Sequence, residues 1–411
     1  MPAIPSTWLE EFIVNLTTTG IQSRPTITHL ANGNILVVWD STDDTGAGSS
    51  LGVDMIGQIF TSQGVPIGSE FRVNSSFTAD DERNGDVAAL ASGGFVAVYE
   101  DFDAINNNRS IRLTERDADG LNPVTVTIAD DVTNNADPAF FNPKVAVSSN
   151  TSVLVVYQEE EVGGDSRIVG TIYDSVAGTV GPEISLINFA GNNTQPSVAV
   201  LTNGNYVIAA SSNVTGDASS SITYRIITAT GANALGVTAI TNTRTDADSD
   251  RDAVVTGLTG GGFVIAWTNT DTNDTDIKVQ RFNAAGVEQG AVINVGDGSA
   301  TDNNNEPAVV ALQDGGFIVF FDDDVAGQLR GSRYSSTGTL VSGDFLISSG
   351  GGGIDEIDAE LLADGRVAVT FERADGEIGM EIIDIRDTPN VGGVYTPDSQ
   401  IVGTIGNDTF T

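Results

Sequence analysis

Residues Leu258–Asp276 read LTGGGFVIAWTNTDTNDTD: a glycine turn, an apolar strand ending in Trp267, then an acidic run. The same phrase recurs along the chain. LANGNILVVWDSTDD starts at Leu30, LASGGFVAVYEDFD at Leu90, LTNGNYVIAASSN at Leu201 and LQDGGFIVFFDDD at Leu312. Weaker copies are SSNTSVLVVYQEEE from Ser148 and LADGRVAVTFERADG from Leu362. Seven copies spaced by roughly 50 to 60 residues define a repeat architecture, which overrides any domain count made from length.

Each repeat reads as four strands. In the first they are Thr26–Leu30, Ile35–Trp39, Met55–Phe60 and Glu70–Asn74. Asn32-Gly33 between two apolar runs is a strong hairpin signal, because both residues tolerate the positive φ of the turn. The last repeat runs out after its third strand. An orphan stretch precedes the first repeat: Glu11-Phe12-Ile13-Val14-Asn15 matches Glu70-Phe71-Arg72-Val73-Asn74 at four of five positions. A closed ring uses both facts, since residues 11–15 then complete the last blade and no strand edge is left open. The expected fold is all-β: a seven-bladed β-propeller of four-stranded blades over residues 1–387, its ring closed by the N-terminal strand. An array of separate β-sandwiches fits less well, because units of about 55 residues are short for folds that need about 100.

Composition narrows the function. Lys and Arg number 18 against 56 Asp and Glu, a net charge of −38. Such a chain repels nucleic-acid phosphates and anionic membranes, and attracts cations. Cysteine is absent, which removes thiol catalysis, thiolate metal sites and iron–sulfur clusters. No apolar run approaches the length of a membrane span. The start, MPAIPSTWLEEF, lacks the basic end and apolar core of a standard secretory signal.

Residues 388–400 (TPNVGGVYTPDSQ) read as a linker. Residues 401–411 (IVGTIGNDTFT) resemble the opening of an RTX repeat, the calcium-binding glycine-rich nonapeptide array of type I secreted bacterial proteins. Gly403, Gly406, Asp408 and Phe410 fit that pattern, and Thr404 departs from it at the second glycine. The GGFVVVW-like phrases are similar to propeller modules found beside such arrays. The resemblance implies calcium, with Gly403, Gly406 and Asp408 at the site. It also implies an extracellular or cell-surface location, and a monomeric propeller within a larger chain.

Carboxylates collect where the second strand of most repeats ends, and between blades, as at Asp246 to Asp252. Alternating acids suit calcium, which takes six to eight oxygens. The expected calcium loops are Asp246, Asp248, Asp250 and Asp252; Asp271, Asn273, Asp274 and Asp276; and Asp322, Asp323 and Asp324. None has the glycine and glutamate placement of an EF-hand. Catalytic candidates are few. His29 is the single histidine, and the G-x-S-x-G match at Gly48–Gly52 has no helix to follow it. Trp39, Tyr99, Tyr157, Trp267, Phe321 and Phe371 share one repeat position, broken by Ala210, and are expected to pack between blades. These features favour a secreted, calcium-associated binding or adhesion propeller. It would be non-catalytic, recognising a surface, glycan or matrix component through its acidic face. The alternative is an extracellular polysaccharide-degrading hydrolase or lyase.

Overall fold

The computed structural model describes residues 5–42, 52–74, 81–103, 108–130, 139–148, 152–161, 163–214, 219–240, 248–271, 274–296, 304–349 and 353–386. The expected linker and the nonapeptide with Gly403, Gly406 and Asp408 lie outside these residues. The described part is all-β, a propeller arrangement with blades of four antiparallel strands. The first unit is Gln22–His29, Ile35–Ser41, Asp54–Phe60 and Pro66–Arg72, paired in that order. The innermost strands of the following units are Asp81–Ala89, Phe140–Val147, Gly191–Val200, Ser249–Gly257, Asn304–Ala311 and Ile354–Leu361.

The repeats do not form seven separate sheets as expected. Among the described residues there are five four-stranded sheets and one eight-stranded sheet. A parallel bridge, Ser166 with Asn192, joins the third and fourth units. Ser166 Oγ donates to the Asn193 carbonyl at 3.0 Å, and Asn193 Nδ2 donates to the Ser166 carbonyl at 2.7 Å. These polar contacts hold the two units edge to edge.

The N-terminal strand is Ser6–Ile13, not 11–15, and it pairs antiparallel with Ile378–Asp384. Two register shifts interrupt the pairing, between Thr7 and Leu9 and between Leu9 and Phe12. The contact continues beyond the strand: Val14 N donates to the Ile378 carbonyl at 2.8 Å, and Asn15 Oδ1 accepts Ile378 N at 2.8 Å.

The core lies between the sheets. Strands of the second position are apolar on both faces; Ile35–Ser41 is buried throughout. Consecutive units enclose separate apolar clusters, and each cluster receives one member of the repeated aromatic position. Trp39, Tyr99, Tyr157, Trp267, Phe321 and Phe371 are all at most 3% exposed, as inter-blade packing requires. Ala210 fills the same place between the third and fourth units, where the sheets have merged. Another cluster joins the first unit to the last, combining Ile27, Val37 and Trp39 with Leu9, Leu362 and Met380.

Candidate active site

Each innermost strand carries the same interruption. Arg24, Asn84, Asn142, Gln195, Asp252, Glu306 and Glu356 all have φ between 49° and 54°. Each sits inside a register shift against its second strand. This is a β-bulge with a left-handed residue, a conformation that costs a non-glycine residue roughly 1–2 kcal/mol. In four of them the next residue is proline: Pro25, Pro143, Pro196 and Pro307. Proline has no N–H to leave unpaired at the bulge.

Five of the bulge N–H groups find side-chain oxygens of the preceding unit, four of them carboxylates. Asn84 N donates to Asp40 Oδ2 at 3.0 Å, Asn142 N to Glu100 Oε1 at 2.8 Å, and Arg24 N to Glu372 Oε2 at 3.3 Å. Glu356 N donates to Glu306 Oε2, and Asp252 N donates to Gln195 Oε1 at 3.4 Å. Strand-end acids such as Asp40 and Glu100 are thus buried parts of strands, not solvated loops.

The seven bulge residues line one end of a central channel of about 600 Å³, to which every innermost strand contributes. One arc of this mouth is charged. Arg24 lies 3.6 Å from Asp40 and 3.7 Å from Glu356. Burial, reinforced by the charge of Glu356, pushes the Glu306 carboxyl up to about 8. Asp322 is pushed to about 9 by burial and by its hydrogen bond with Asp324. Burial takes Asp40 to about 7 against the opposing Asn84 N–H and Arg24 charge. Glu306 and Asp322 then hold protons at neutral pH, as a general acid must, while Asp40 is only partly protonated there. Deeper in the channel, Asp358 accepts Ile27 N at 2.9 Å and Thr26 Oγ1 at 3.1 Å, while Asp86 accepts Val145 N at 2.7 Å. Lys144 faces this pair, and their charges outweigh its burial, so its ammonium is held above the usual lysine range.

The expected calcium residues are dispersed among other partners. Asp250 is 1% exposed and accepts Trp267 Nε1 at 2.7 Å and Asn269 Nδ2 at 2.8 Å. Asp248 lies 3.8 Å from Lys278. Asp252 belongs to the channel mouth, held by Arg251 at 3.0 Å and by Gln195. Asp271 accepts Asp274 N at 2.9 Å in a tight turn, and Asp276 lies in the following strand. Asp323 closes another turn by accepting Ala326 N at 3.0 Å. Among the described residues no three acidic or histidine side chains are grouped to hold a metal ion. Asp246 and Asn273 lie outside the described residues, as do residues 43–51 with most of the G-x-S-x-G match. His29 sits at the far end of its strand from the bulge, and burial lowers its imidazole below the usual range. The bulge ring was missed from sequence, although the Arg-Pro, Asn-Pro, Gln-Pro and Glu-Pro pairs mark it in four repeats.

No family model matches the chain, and no curated protein matches it. Solved structures do. An α-L-arabinanase of Penicillium chrysogenum complexed with arabinobiose aligns with a TM-score of 0.55 at 13% identity, over 93% of this chain and 99% of that one. A GH93 α-L-arabinofuranosidase of Fusarium graminearum, also with arabinobiose, aligns with a TM-score of 0.54 at 9% identity, covering 92% and 97%. A Hadza microbial sialidase gives 0.52 at 11% identity, covering 88% of this chain and 65% of that one. At these identities the likeness is one of fold. The fold is shared with glycosidases, and that corrects the expectation of a non-catalytic adhesion module.

Proposed function

We propose that this protein is a glycoside hydrolase working at the acidic mouth of its channel. The observation that carries the reading is the Glu306–Glu356 pair. The two residues occupy equivalent bulges on neighbouring innermost strands, both line the channel, and the N–H of one is bonded to the carboxylate of the other. Glycosidases need two such groups, one protonated and one not. Glu306, pushed up to about 8, donates a proton to the leaving-group oxygen. Glu356 is the more accessible carboxylate and has the Arg24 guanidinium beside it at 3.7 Å. It serves the anomeric carbon, directly or through water.

The scaffold is read as seven blades, with the eight-stranded sheet counted as two. The N-terminal strand completes the last blade and closes the ring. The pairing of Ser6–Ile13 with Ile378–Asp384 and the apolar cluster between first and last units support this reading. The substrate is a neutral glycan of the arabinan kind, because a chain of net charge −38 repels sialylated or uronate-rich polymers. An extracellular setting suits such a polymer.

Reducing-sugar release from linear arabinan, arabino-oligosaccharides, other neutral polysaccharides and sialylated glycans tests the reading. Turnover of a neutral glycan is expected, with Glu306→Gln and Glu356→Gln each lowering kcat by about 10²–10⁴-fold. No turnover across the panel overturns it, as does full activity in both variants.

A further inference from the structure

Beside the bulges of the second and third units, just outside the channel lining, stands a cluster that the scaffold does not require. Arg109 places its guanidinium carbon 4.5 Å from the centre of the Phe102 ring and 4.7 Å from that of Phe141. Its Nη1 reaches Glu100 Oε2 at 3.2 Å. Glu100 is fully buried and also accepts Asn84 Nδ2 at 2.7 Å and Asn142 N at 2.8 Å. The stack is therefore fixed to two consecutive bulges of the mouth. Both phenylalanines remain half-buried.

The repeat shows what these positions normally hold. Phe141 precedes its bulge residue, where the other units have Ser23, Arg83, Thr194, Arg251, Asn305 and Asp355. Phe102 follows the repeated aromatic position by three residues, where the others have Thr42, Glu160, Asn213, Thr270, Asp324 and Ala374. Inter-blade packing is already supplied by Tyr99 and Tyr157. Two aromatic rings at otherwise small or polar positions, on adjoining units and sharing one arginine, point to a task other than packing. Aromatic faces suit the apolar faces of sugar rings, and the amide of Asn142 can exchange hydrogen bonds with their hydroxyls.

We propose that Phe102, Arg109 and Phe141, with Asn142, form a second sugar subsite. It would bind a residue of the chain beyond the bond cleaved at Glu306 and Glu356, so the substrate is an oligosaccharide spanning the mouth. This rests on the glycosidase reading above. Its occupant is a neutral sugar ring, because Arg109 and the neighbouring Arg83 are already offset by Glu100, Asp81 and Glu160.

Two measurements test it. Kinetics on an arabino-oligosaccharide and on a single-sugar aryl glycoside are compared for the wild type, Phe102→Ala, Phe141→Ala and Phe141→Tyr. The alanine variants are expected to lose about tenfold in kcat/KM on the oligosaccharide, with the aryl glycoside within about twofold and Phe141→Tyr close to wild type. Equal losses on both substrates, or none in variants that melt like wild type, overturn the subsite. Calorimetric titration with the same oligosaccharide separates the two proposals. Binding that the alanine variants weaken, without any turnover, leaves the subsite standing and removes the hydrolase. Turnover of the aryl glycoside alone, with no oligosaccharide binding, does the reverse.

Discussion

Glu356 donates its backbone N–H to the carboxylate of Glu306 on the preceding innermost strand. One bond therefore ties together two acids on neighbouring strands of the channel mouth, of which Glu356 also lies 3.7 Å from Arg24. Because burial pushes Glu306 up to about 8, kcat/KM is expected to fall above that pH as the general acid loses its proton. In Glu306→Gln the residual activity should show no descending limb there. A limb that persists unchanged in that variant assigns the proton elsewhere.

Stability should run with pH in the same direction. Asp40 at about 7, Glu306 at about 8, Asp322 at about 9 and Asp358 at about 6 are all raised by burial. The folded state then binds more protons than the unfolded chain, so stability is lost as pH rises from the ordinary carboxylate range through these values. Asp364 and Asp384, lowered by Arg366 and Arg386 against their burial, contribute their stability above about pH 4 and lose it only as pH falls further. Tm measured by calorimetry should peak near about pH 5 and fall toward pH 9. A flat or rising profile contradicts the burial of these groups.

The N-terminal strand is tested at Leu9. It is fully buried against the apolar cluster that joins the first and last units. Leu9→Ala should cost about 2–5 kcal/mol in urea or guanidinium unfolding. A change below about 1 kcal/mol would mean that this strand is not part of the cooperative fold.

Turn glycines differ in what surrounds them. Gly33 and Gly262 both have φ near 90°, yet a Cβ on Gly33 meets nothing within 4 Å, whereas one on Gly262 lies 2.2 Å from the Phe282 carbonyl oxygen. Gly33→Ala should cost about 1–2 kcal/mol through conformation alone. Gly262→Ala adds a backbone clash and should unfold at clearly lower denaturant. Equal midpoints would show that the strand behind Gly262 shifts freely.

Much of the scaffold is legible in the sequence because it depends on local chemistry. Glycine turns, apolar second strands and one aromatic per unit are each set by neighbouring residues. Asp250 shows the limit: alternating acids suggest an ion ligand, and spacing does not reveal that one oxygen of its carboxylate accepts from both Trp267 and Asn269 across a hairpin. Asp40 and Glu306 show the same limit from the other side. Their proton affinity follows from burial and from charges brought from other units, which no spacing reveals. The Ser166–Asn192 bridge is likewise a matter of two edges meeting.

The ring of left-handed residues has a consequence for diversification. At each of its seven positions the backbone shape comes from the bulge, while residues as unlike as Arg24, Asn142, Asp252 and Glu306 occupy it. Side-chain identity there is uncoupled from the apolar clusters. Specificity can therefore be rewritten one unit at a time, with the folding of the barrel of blades left intact.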